Sequence, residues 1–109
     1  MLPKEIMEKI ERARQLYLEY ERLEEEILKH LEKNILQKHD VDMLDYDSGE
    51  LWHLFERDIV ELERKFKSKP LMVIPVSYGE VFVLEDGRVV FRKRVWADNT
   101  LQLKFEVLE

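Results

Sequence analysis

PKEIMEKIERARQLYLEYERLEEEILKHLEK, residues 3–33, holds no glycine and, after Pro3, no proline, so nothing in it interrupts a helix. Pro3 suits a first turn, where backbone donors are unpaired anyway. Glu5 and Glu8 follow it at the positive end of the helix dipole. Ile6, Ile10, Ala13, Tyr17, Tyr20, Ile27 and Leu31 recur mostly at steps of three and four, which sets them on one face. Leu16 and Leu23 widen that face on one side and Leu28 on the other. Glu11, Arg14, Arg22, Glu25 and Lys29 form the opposite, solvated face. Glu5–Lys9, Glu8–Arg12 and Glu25–Lys29 have the favourable i,i+4 order, each adding ~0.2–0.5 kcal/mol. Glu24 interrupts the stripe. The reading preferred here has it snorkelling at the rim; the alternative is a buried, paired carboxylate kept for register.

Working outward, Ile35 and Leu36 extend this helix to about residue 36. Residues 37–47 are rich in Asp and form a connection. A second helix is expected over about 48–68. Asp47 or Ser48 caps it, with Glu50 at capping-box spacing, and Pro70 stops it. Leu51, Phe55, Ile59, Leu62 and Phe66 form its inward face, with Trp52 on the flank. The first helix would be ~45 Å long and the second ~30 Å at ~1.5 Å per residue. The second therefore cannot cover the first along its whole length.

From residue 70 the pattern changes to strands. Leu71–Val76 is apolar and β-branched but contains Pro75, which marks an edge strand or a bulge. Tyr78-Gly79 is a turn, and Glu80–Glu85 a second strand. Asp86-Gly87 predicts a two-residue hairpin turn at positive φ. Arg88–Ala97 is the third strand and Asp98-Asn99 the next turn. In the fourth strand, Thr100–Leu108, Leu101, Leu103, Phe105 and Val107 alternate with Gln102, Lys104 and Glu106, so one face is buried and one wet. The fold expected is α+β: an antiparallel helical hairpin, residues 1–69, on a three- or four-stranded antiparallel meander, residues 70–109, in one domain of 109 residues.

Composition narrows function. Formal net charge is −6, with 18 acids and 13 bases in residues 1–70 and 6 and 5 in residues 71–109. That balance opposes whole-surface attraction to nucleic acid or anionic membrane. There is no cysteine, which excludes disulfides, thiol catalysis and zinc fingers. No apolar run reaches membrane-spanning length and the first residues are already charged, so a cytoplasmic location is expected. Many Glu, Lys and Arg with few Asn and Gln would suit a thermophile source.

Chemistry finds little support. Glu50-x-x-His53 has metal-ligand spacing but lies away from the inward face, and no second copy exists. Asp40, Asp42, Asp45 and Asp47 with His39 fit a calcium loop poorly, since Gly49 and Glu50 fall at the wrong places; an incidental acidic connection is preferred. No nucleophile–base pair and no phosphate-cradling glycine loop is present, so neither cofactor, metal nor enzymatic activity is expected. Two surfaces remain. The helix stripe of Leu16, Tyr17, Tyr20, Leu23 and Ile27 suits self-association, as a homodimer, or another protein partner. Arg88, Arg92 and Arg94 with Trp96 share a face of the third strand and suit the protein's own acids, a partner's acids or, as the second reading, nucleic acid. A non-catalytic interaction or assembly module is the function expected.

Overall fold

The computed structural model describes residues 1–47 and 49–109. Ser48, named above as an alternative cap, lies outside them. The chain divides into two compact units, Met1–Leu31 and Glu32–Glu109. The first is helix α1, Lys4–Leu31, 28 residues or ~42 Å of rod. Its outer face is laced by ion pairs: Glu25–Lys29 forms at 2.9 Å, and Arg22 reaches Glu19 at 2.6 Å and Glu26 at 2.8 Å. Hydrogen bonding to Lys29 holds the Glu25 carboxyl below the ordinary range. Glu24 is only 7% exposed, so it does not snorkel at the rim.

The second unit starts with a π-helical turn, Glu32–Leu36, and a short 3-10 turn, Gln37–His39. Asp40 ends the run in the left-handed conformation, φ 54°, a region Asp tolerates better than most residues. A single 3-10 turn, Glu50–Trp52, precedes helix α2, Glu56–Phe66. The continuous helix expected over 48–68 is therefore wrong in its first half. Gly49 sits at φ 99° and Phe55 is extended, and either conformation interrupts a helix. The Asp47–Glu50 capping box does not open α2. Its N-cap is Phe55, which makes no side-chain cap bond. Phe55, assigned to the buried face, is 57% exposed, whereas Leu51 and Leu62 are fully buried. Glu56 and Asp58 begin α2 and Arg64 and Lys65 end it, in agreement with its dipole.

The strands form one antiparallel sheet in the order β1-β2-β3-β4: Pro70–Val76, Gly79–Leu84, Val89–Ala97 and Thr100–Val107. β1 is an edge strand, a position that tolerates Pro75, and its register shifts at its start, between Pro70 and Met72. Strand alternation sets Phe82, Leu84, Val90 and Arg92 on one face. Leu62 of α2 packs there against Phe82, Leu84 and Val90, with Phe66 and Phe105 at the margin. The other face buries Ile74, Val76 and Val81 completely. Segment 35–43 flanks the sheet. His39 Nε2 lies 3.1 Å from the Leu108 carbonyl, and Met43 bridges Val76 at the outer edge of β1.

Of the two later turns, the first departs from the form expected of it. Asp86-Gly87 is not a two-residue turn. Leu84 N–H bonds to Arg88 O and Gly87 N–H to Leu84 O, and of these loop residues Gly87 alone has positive φ, 93°. This is a three-residue loop closed by a glycine bulge. The two-residue turn with both φ positive is Asp98-Asn99, at 52° and 61°. No helix among the described residues is long and apolar enough to cross a membrane.

Candidate functional site

Each unit carries its own candidate surface. On α1, Ile6, Met7, Ile10, Leu16, Tyr17 and Leu23 are exposed, Leu16 and Tyr17 each to 52%. Tyr20 and Ile27 are half-buried, and Glu24, Leu28 and Leu31 are buried. The five stripe residues singled out from sequence thus divide into three exposed and two partly covered. The Tyr17 and Tyr20 rings stack, centroids 6.4 Å apart. All of residues 4–19 are exposed, apolar and charged alike.

On the sheet, the basic face read from sequence is not one open surface. Arg92 is 8% exposed. Its NH1 lies 2.7 Å from Asp58 Oδ1 and 3.5 Å from Glu61 Oε1, both on α2, and its Nε 3.4 Å from Glu80 Oε2. The guanidinium also stands 5.0 Å over the Phe82 ring. Burial works to lower its pKa, but the hydrogen bond to Asp58 and the charges of Glu80 and Asp58 outweigh burial, so the pKa is raised. Arg94, half exposed, bonds Glu80 Oε1 at 3.0 Å. Arg88 clasps Asp86 at 2.8 Å and donates to the Phe66 carbonyl. Its hydrogen bonds hold the Asp86 carboxyl below the ordinary range. The three arginines are therefore matched by the protein's own acids or backbone. The sequence did not single out Asp58 or Glu80. A register centred on residue 86 sets Glu80 opposite Arg92, so half of that network follows from the hairpin once its centre is known.

Trp96 lies on the same side but beyond the helix and is 73% exposed. Leu101 is its cross-strand neighbour, and Leu103 faces Arg94. Leu101, Leu103 and Val107 are all about half exposed. This corrects the expectation that the apolar face of β4 is buried: α2 covers Phe105 in part, whose ring meets Phe66 at 5.6 Å, and leaves the other three half exposed.

A cleft of about 420 Å³ is lined by Glu50, His53, Phe55, Arg57, Val73 and Pro75 together with Asp58, Glu80 and Arg92 of this network. Glu50 and His53 thus meet a common cleft. Among the described residues, however, no three His, Asp or Glu side chains group so as to hold a metal ion. Comparison with protein-family models, with curated proteins and with solved structures finds no match for this chain.

Proposed function

We propose that this chain is a non-catalytic interaction or assembly module that self-associates through α1. The observation that carries the proposal is the bare apolar stripe of Ile6, Ile10, Leu16, Tyr17 and Leu23 along one rod. Of the residues at this spacing, Ile6, Ile10, Ala13 and Tyr17 are exposed and follow steps of 4-3-4, the repeat by which two helices pack together. An exposed stripe of this length is what a partner helix covers.

The antiparallel hairpin of α1 on the second helix is the packing expected from sequence. Since α2 has already committed Leu62 to the sheet, we assign the exposed part of the stripe to α1 of another copy. The nucleic-acid alternative ranks second because Arg92 and Arg94 are already paired to acids. Sedimentation equilibrium of the full chain tests the proposal. Association that weakens at least tenfold on Leu16→Glu with Leu23→Glu supports it, and association unaffected by that pair refutes it.

A further inference from the structure

We infer that β4 is a second self-association surface, pairing antiparallel with β4 of another copy about a two-fold axis at Phe105. This rests on the sheet alone and stands or falls independently of α1. β4 is the last strand of the sheet, so its outer edge pairs with no strand among the described residues. It is eight residues long and holds no proline, and its one lysine, Lys104, stands two residues from Glu106 on the same face. The two-residue Asp98-Asn99 turn makes Ala97 and Thr100 a hydrogen-bonded pair. Alternation then points the N–H and C=O of Leu101, Leu103, Phe105 and Val107 outward. Leu108 donating inward to Val89 O agrees with that phase. The same odd-numbered residues carry the exposed apolar face, so backbone and side chains offer one surface.

Charge selects the register. Centred on Phe105, Leu103 meets Val107 of the second copy, Phe105 meets itself, and Lys104 meets Glu106 twice over. Centred on Lys104, two lysines would face each other, and like charges directly opposite are destabilising. Centred on Leu103, Lys104 would meet Gln102 and Glu106 would meet Thr100, with no ion pair. Within the chain Lys104 already faces Lys93. An acid arriving on its other side relieves that repulsion. The result is one sheet continuing across two copies, an isologous interface.

The test is a charge exchange, read by sedimentation equilibrium in the full chain carrying Leu16→Glu and Leu23→Glu, so that the helix stripe does not contribute. Lys104→Glu alone and Glu106→Lys alone are each expected to weaken association about tenfold, and the two together to restore it to within about threefold. Amide exchange supplies the second readout: the N–H groups of Leu103, Phe105 and Val107 gain protection as concentration rises. Recovery in the double exchange together with that protection supports the pairing. Absence of association in the helix-substituted chain, equal weakening in the double exchange, or those amides unprotected in the associated state overturns it and leaves the helix proposal untouched.

Discussion

Replacing Arg92 by Met removes one cation from among three carboxylates. The side chains of Arg92 and Asp58 are 10% and 9% exposed and meet at 2.7 Å, with Glu80 and Glu61 within 3.5 Å. Met fills much of the same volume, so the loss is electrostatic rather than a cavity. The Asp58 carboxylate stays in the interior with no counter-charge. Removing one partner of a buried pair costs about 3–5 kcal/mol. A domain of this size has ~5–15 kcal/mol in all, so the change consumes a large fraction. The thermal midpoint should fall by at least ~10 °C. Asp58→Asn should cost less, about 1–3 kcal/mol, because Arg92 keeps Glu80. In the double variant the losses should not add, with a coupling of ~0.5–3 kcal/mol. Urea unfolding followed by tryptophan fluorescence gives all three values. If Arg92→Met costs less than ~1 kcal/mol, or the two changes are additive, Arg92 does not hold α2 to the sheet by charge.

Other changes probe other contacts. A Cβ on Gly79 would intrude on the Arg92 backbone carbonyl, so Gly79→Ala should part β2 from β3 and cost several kcal/mol, in contrast to the exposed Gly87→Ala, where only the positive φ is strained at ~1 kcal/mol. Leu62→Ala empties the contact with Phe82, Leu84 and Val90 and should cost about 2–5 kcal/mol in the same unfolding assay. The Asp86 carboxyl, held down by Arg88, should titrate in NMR below the free aspartate midpoint. Because its folded pKa is depressed, its contribution is present above the unfolded value near 3.8 and is lost as pH falls through the folded one. Arg88→Gln should move that midpoint back up.

Much of this architecture was legible because it rests on local rules. The helical period across residues 4–31, Pro75 on an edge, and the apolar alternation of β4 each left a direct mark. What could not be read depends on distant residues. Leu51 and Leu62 both look inward on one helical period, yet the extended Phe55 breaks the helix between them, and no proline or glycine between residues 51 and 62 marks that break in the sequence. Asp-Gly and Asp-Asn both suit a two-residue turn, yet only Asp98-Asn99 has positive φ at both residues. The burial of Arg92 was hidden because its partners lie 34 and 12 positions away in the chain. The apolar residues of β4 predicted a buried face correctly only as chemistry. α2, at 11 residues, is too short to supply the cover.

The most direct measurement is the mass of the full chain in solution across micromolar to millimolar concentration. At the upper end the mass should be at least twice the 13.3 kDa of one chain, and it should fall when Leu16 and Leu23 are both changed to Glu. A mass of one chain at every concentration would contradict self-association, because the exposed stripe of α1 would then have no second copy to cover it.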